Sequence, residues 1–332
     1  MAVVDLATVK YYVVAVLKDG KQLHLEKVAE NIAWEENEKE LAVRLNLTLR
    51  DVPYNGGRLS EVLALCTVIY LYSDWGTGQQ EVFRGTIWKW GHSQTHDDSI
   101  IITGYDLLFY LQKSTDSKYY AKGKSTKSIV SDILGDWKVP LGEYTAANET
   151  HEKILYKNRT ISAMLTDTLE DARKLGGKKS FIRASKGKAD FLAYGSNTDI
   201  YSFTAESNLT MSDDDFDMTP LVTRVQVLGK DDKNGRPKVE ATINGKTEYG
   251  ILQRSVVKGS STLKEAKAEA QSMLDEKGSP TRTIRLRSPE FPLIRKGDLI
   301  YVTTDQMKGY FHVKGISHNA TNMTMQMEVE PK

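Results

Sequence analysis

Gly123-Lys-Ser-Thr126 has the side chains that close a phosphate-binding loop. That loop needs a further glycine five residues earlier, where Lys118 stands, and a hydrophobic strand leading into it. The residues instead predict a helix N-terminus with hydroxyl caps. His92-Ser-Gln-Thr-His96 spaces two imidazoles as a metal-binding helix would, yet the surrounding residues predict a polar loop and supply no glutamate partner. Asp213-Asp-Asp-Phe-Asp217 is the densest acidic run, but it lacks the central glycine of a calcium loop and predicts a solvated turn or helix cap. Carboxylates are plentiful without forming a glycosidase-type motif, and there is neither a Gly-x-Ser-x-Gly elbow nor a cysteine with a matching histidine. No catalytic residue, metal ligand or cofactor-binding residue is assigned.

The aromatic residues point elsewhere. Trp88 and Trp90 stand two apart on a predicted strand, which places both rings on one face. With Tyr310 and Phe311 they are the residues expected at a protein interface.

The elements that must position these groups are mostly strands. Leu41, Val43, Leu45, Leu47 and Leu49 alternate strictly, and Lys18-Asp-Gly-Lys21 is a hairpin turn. Helices are predicted from Ser125 to Gly135, over 160–175, and after the Thr262-Leu-Lys-Glu265 capping box. The 332 residues balance 45 basic against 44 acidic side chains, so no field gathers nucleic acid or an anionic membrane. Val62–Tyr72 is the longest apolar run and is too short to span a bilayer. The single cysteine, Cys66, lies in that run and is expected to be buried; the start of the chain shows no signal peptide.

Two stretches share a plan. Val68–Asp74, Phe83-Arg-Gly-Thr-Ile87 and Ile100–Asp106 read as strand, glycine-containing strand, strand. Leu299–Asp305, Val313-Lys-Gly-Ile-Ser317 and Thr324–Glu330 read the same way. Gly297 and Asp298 form the structural turn entering the second copy; the matching place in the first, Leu65-Cys-Thr67, shares none of those residues and predicts a remodelled turn. The expected class is α+β, mainly β, with a first β-barrel module over 1–114 and a mixed α/β region over 115–220. Strands and a connecting helix follow over 221–288, and a second barrel module over 289–332.

A helix rich in Ala and Leu over 261–277 is followed by Pro292-Leu-Ile-Arg-Lys-Gly-Asp-Leu-Ile-Tyr-Val302 and Gly309-Tyr-Phe-His-Val-Lys-Gly-Ile-Ser-His318. In front stand Val82–Ile87, Ile102–Ser114 and Gly123–Leu134 in matching order. This ordered set resembles the baseplate hub proteins of contractile phage tails, particularly the XkdQ/YqbQ type of defective prophages, which are related to the hub part of type VI secretion spikes. The resemblance implies two small β-barrels with interposed α/β segments and a homotrimer joining the hexameric tail tube to the trimeric spike protein. It implies tape-measure and other baseplate proteins as further partners, with no cofactor, no sequence-specific nucleic acid and no direct membrane insertion. Such a protein is made in the bacterial cytoplasm, works at the tail baseplate of a phage, prophage or phage-tail-like bacteriocin, and is released by lysis. The alternative is a tail-associated cell-wall hydrolase.

Overall fold

Alternating apolar residues dominate the chain, and the strands they dictate make up 49% of it against 17% helix. The computed structural model describes residues 9–94, 98–231, 233, 235–259 and 262–332. In chain order the elements are β1 (Lys10–Val16), β2 (Gln22–His24), β3 (Ala29–Glu36), β4 (Arg44–Arg50), β5 (Pro53–Tyr54), β6 (Gly57–Arg58), α1 (Leu59–Val62), β7 (Val68–Asp74), β8 (Gln80–Gln94) and β9 (Asp98–Tyr105). A middle section follows: α2 (Leu108–Lys113), β10 (Thr115–Tyr120), α3 (Thr126–Asp136), β11 (Leu141–Tyr144), β12 (Ile154–Thr160), α4 (Ile161–Lys174), β13 (Ser180–Ser185), β14 (Lys188–Ala193) and β15 (Tyr201–Thr204). The chain then runs through β16 (Met211–Asp217), β17 (Arg224–Asp231), β18 (Pro237–Asn244), β19 (Gln253–Val257) and α5 (Leu263–Lys277). It ends with β20 (Thr281–Pro289), β21 (Leu299–Thr303), β22 (Lys308–Asn319) and β23 (Thr324–Pro331).

The chain divides into two compact units, one of residues 1–212 with 285–332 and one of residues 213–284. The smaller packs α5 on the sheet β18-β17-β19, burying Val225, Val227 and Val256 against Ala266, Ala270 and Leu274. Its helix starts at the expected capping box, where Thr262 and Glu265 satisfy each other's backbone amides.

The larger unit is built on the strand path β20-β23-β22-β3-β4-β9-β8-β7-β1-β2, with β21 and β15 added beside β22; β16, most of whose residues belong to the smaller unit, ends the path next to β20. The class is the one expected, but no ladder among the described residues closes either module into a barrel. The first module curls around a single core of Val13, Leu25, Trp34, Leu45, Leu47, Ile69 and Ile102. Its gap lies between β2 and β3. β2 has only three residues, and a bond from the Val28 N–H to the Leu25 carbonyl turns the chain from it into β3.

In the middle section α3 and α4 pack Ile129, Ile133, Ile161, Met164 and Leu165 over β13 and β14. Ser125 is the N-cap expected for α3, and Thr160, expected as the first residue of α4, is its N-cap. Leu175, the last residue of the helix expected over 160–175, is the exposed C-cap. The acidic run 213–217 lies on β16 rather than in a turn or helix cap, with Asp214 held by Arg282. Among the described residues no helix is long and apolar enough to cross a membrane.

Candidate functional site

The repeat is real, and longer than the sequence pattern. Strands β7, β8 and β9 form an antiparallel meander, and β21, β22 and β23 form another. Val68 pairs with Thr86 as Leu299 pairs with His312, and Trp90 pairs with Ile102 as Ile316 pairs with Met327. Each middle strand has a bulge at the same place, Trp88 in one copy and Lys314 in the other. The correspondence includes the strand before each meander. The Asp51 N–H bonds the Asp98 carbonyl, as the Glu290 N–H bonds that of Met323. Asp51-Val-Pro53 thus matches Glu290-Phe-Pro292, and Leu47 on β4 matches Leu286 on β20.

These ladders correct the register read from the sequence. Gly85 and Gly315 are not equivalent: Ile87 matches Val313, so Gly85 matches Phe311 and Phe83 matches Gly309. The ring and the glycine have exchanged places on one inward-facing row. A Cβ on Gly85 would lie 2.5 Å from the Phe83 ring, so one copy fills from position 83 the space that the other fills from 311.

The entering turns were expected to differ, and they do not. Cys66 has φ +66 and Gly297 φ +91. The Cys66 amide donates to Ile87 (2.9 Å) and Gly297 to Val313 (2.8 Å); the return bonds, Ile87 to Thr67 and Val313 to Asp298, are both 2.9 Å. Thr67 Oγ1 accepts from the Ala64 amide as Asp298 Oδ2 accepts from Arg295. A hydroxyl replaces a carboxylate in the same bond, so the backbone persists. Cys66 is exposed, not buried as its apolar neighbours implied, because it stands at the tip of this turn.

What differs is the surroundings. The second turn is sunk into a cluster of charges contributed by three parts of the larger unit. Arg295 donates to both oxygens of Glu36 on β3 (2.7 and 3.1 Å) and to the Ala184 carbonyl on β13. Lys296 Nζ donates to the carbonyls of Asn37 and Glu40, and Arg183 on β13 reaches Asp298 at 3.1 Å. Burial pushes Glu36 up, but the cations Arg295, Lys296 and Arg183 outweigh it and hold the carboxyl below its usual range. Burial lowers Lys296 and raises Asp298. Asp106, which accepts the amides of Val43 and Leu108, is pushed up to about 7 by burial.

A second repeated feature is a histidine against a carboxylate. His92 Nε2 lies 3.3 Å from Asp51 Oδ2, and the matching His318 Nδ1 lies 2.9 and 3.0 Å from the Glu290 oxygens. His318 is also stacked on Trp34, with ring centroids 4.5 Å apart, and Tyr11 donates to Glu290. This pair locks the first module's β1 and β3 onto the second module.

The chemistry the sequence offered is occupied by structure. At the start of α3 the amides of Thr126, Lys127 and Ser128 donate to Glu149, Asn148 and Ser125, and His151 bonds Thr126 Oγ1, so no phosphate cradle is open. His92 lies on β8 rather than in a loop, and His96 falls outside the described residues. Ser60 donates to the same Asp51 oxygen that faces His92, and Arg58 donates there too. Among the described residues no bond joins Ser60 to an imidazole, and its hydroxyl proton is directed at Asp51.

The bulge also separates Trp88 from Trp90. Trp88 packs on Phe109 and Tyr110 of α2, while Trp90 turns to the first module's core, so their rings do not share a face. Tyr310 is 48% exposed beside Tyr301, and Phe311, 5% exposed, is a core residue. Gly297 and Asp298 form the buried turn already described.

The family model described as YQBQ-like matches residues 33–331. The chain belongs to the YQBQ-like family. No curated protein sequence matches this family member. Among solved structures it is similar to a tail protein of Neisseria meningitidis (16% identity, 96% of this chain and 95% of that one, TM-score 0.66). The 43 kDa tail protein of prophage MuSo2 from Shewanella oneidensis is also similar (12%, 96% and 98%, 0.68). So is a type VI secretion component of E. coli, itself described as similar to T4 tail proteins gp27 and gp5 (11%, 92% and 74%, 0.53). The YQBQ-like chain therefore has the fold of phage tail and type VI secretion proteins.

Proposed function

We propose that this chain is the structural baseplate hub of a contractile tail, a homotrimer joining a hexameric tail tube to a trimeric spike. One observation carries this reading. Along the strand path, β16-β20-β23-β22 is followed by β3-β4-β9-β8, and the second block repeats the first strand for strand. Within the chain the blocks are joined by pairing of β22 residues 316–319 with β3. The matching stretch of β8, residues 90–93, has no ladder partner on that side among the described residues, and β16 ends the path at the other end. Trp90 lies in that free stretch. Joining β8 of one copy to β16 of the next repeats the internal joint between copies. Three copies then close a ring of six similar blocks.

Such a ring presents six similar docking surfaces to the tube while keeping three-fold symmetry for the spike. The near-neutral net charge suits a lumen that passes a tape-measure protein or cargo without adhering to it. In this reading the protein has no catalytic activity of its own and resides at the tail baseplate. Light scattering tests it: the expected mass is three times 37.3 kDa, about 112 kDa. A mass of one chain at high concentration, or release of muropeptides from purified cell walls, overturns it.

A further inference from the structure

The ladder β23-β22-β3-β4-β9-β8 forms a wall, and part of each module leaves it. Along one edge of β22 the first half pairs with β21 and the second half with β3. Along the matching edge of β8 the first half pairs with β7, and residues 90–93 are the free stretch. A flap therefore peels off the wall at each bulge, β21-β15 in one copy and β7-β1-β2 in the other. Each flap turns an apolar row to the core, Ile300 and Val302 in one and Ile69 and Leu71 in the other, all buried.

The opposite row of each flap holds a tyrosine at the same place. Tyr70 pairs with Arg84 as Tyr301 pairs with Tyr310. Around them the outer face has diverged: Tyr72 is matched by Thr303, Arg84 by Tyr310 and Thr86 by His312. The other identical pair, Asp74 and Asp305, belongs to the turns beyond the ladders, and Asp74 is engaged there by the amides of Gly76 and Gly78. Local packing does not dictate the shared ring. Tyr70 lies under the Arg84 guanidinium, 4.9 Å from its centroid, whereas Tyr301 meets Tyr310 edge-on at 5.0 Å. Both rings are partly exposed, and among the described residues neither hydroxyl has a hydrogen-bond partner.

We infer that Tyr70 and Tyr301 are equivalent contact points for a six-fold partner, another tail protein that encircles the ring and takes one tyrosine from every block. A partner of that symmetry presents one surface six times, so it binds what both copies share. Among the matched outward positions of the flap ladders, that is the backbone and this tyrosine. Its apolar ring with a free polar tip suits a protein contact. The encircling position follows from the wall, because flaps turned inward would fill the lumen. This inference rests on the trimeric ring proposed above and adds a partner distinct from the tube and the spike stacked along its axis.

Isolated tail particles in which p-benzoylphenylalanine replaces Tyr70, or in a second variant Tyr301, test this on irradiation. Both positions are expected to cross-link one and the same peptide of another tail protein, identified by mass spectrometry. Links to two different proteins, to the tube protein or to a second copy of this chain overturn the inference. Nitration of the wild-type protein with tetranitromethane decides the matter where a variant fails to assemble or gives no link. Both tyrosines are expected to react roughly tenfold more slowly in the particle than in the free trimer. Either one reacting at the free rate overturns the inference. Light scattering of the free protein keeps this result apart from the ring itself. A mass of three chains without shared cross-linking or shared protection leaves the ring standing and this contact wrong. A mass of one chain removes both.

Discussion

Replacing Gly297 with alanine separates what the two matched turns share from what their surroundings impose. At φ +91 an L-residue costs roughly 1–2 kcal/mol in a conformation that glycine adopts freely. The added Cβ would also stand 2.0 to 2.4 Å from three atoms of the Phe181 ring. That ring cannot swing aside, since it is buried beside Tyr194, with ring centroids 4.9 Å apart. Overpacking of this kind costs about 1–3 kcal/mol more. The expected loss is therefore roughly 2–5 kcal/mol. The matched change, Cys66→Gly, relieves the same backbone strain at an exposed tip where nothing crowds a side chain. Less the extra chain entropy of glycine, it is expected to be neutral or to gain up to about 1 kcal/mol. Urea midpoints of wild type and both variants, read at an unchanged m-value, give the comparison. If Gly297→Ala unfolds within 0.5 kcal/mol of wild type, or Cys66→Gly loses more than about 1 kcal/mol, the equivalence of the turns is refuted.

Other perturbations address the buried charges. Arg295→Ala leaves Glu36 without its partner and is expected to cost about 3–5 kcal/mol in urea unfolding, most of it recovered when Glu36→Met and Arg295→Met are combined. Asp106 has a folded-state value of about 7, above its ordinary 3.8, so the stability it contributes is fully present below pH 4 and lost as pH rises through 7. Between pH 5 and pH 8 wild type is expected to lose about 2.5 kcal/mol at this group, a slope that Asp106→Asn removes whatever its absolute stability. His318→Ala leaves the buried Glu290 with the Tyr11 hydroxyl but no cation and is expected to cost about 2–3 kcal/mol, whereas the matched His92→Ala is expected to cost under about 1 kcal/mol, because Asp51 keeps its bonds from Ser60 and from the cation Arg58. Equal losses at the two histidines would count against this difference.

The helices and their caps were legible because local chemistry sets them. Ser125, Thr160 and the Thr262–Glu265 pair each satisfy amides within one turn. The long-range features were harder to see. Strand β3 escaped notice since its inward row reads Ile32, Trp34, Glu36, and a buried carboxylate breaks the apolar alternation. Strand β8 runs on through polar residues because its far half lies along β9, and the bulge at Trp88 reversed the expected facing of the tryptophans. The repeat was visible in its outer strands but slipped by four residues in the middle one, as the Phe83/Gly85 and Gly309/Phe311 exchange preserves volume rather than order. The turn at Leu65-Cys-Thr67 looked unlike Lys296-Gly-Asp298 because a hydroxyl can make the carboxylate's bond and a cysteine can occupy the glycine's conformation. The charges of the second turn answer to Glu36 and Arg183, over a hundred residues away, and no local pattern announces them.

The central claim is that two copies of one strand block make this chain a three-fold ring between tube and spike. Electron microscopy of an isolated tail particle, with the protein located by a fused density tag, tests that most directly. The account expects three tags around the axis at the junction of the tail tube and the spike. Tags on the sheath or along the tube, or six of them in a ring, would contradict it.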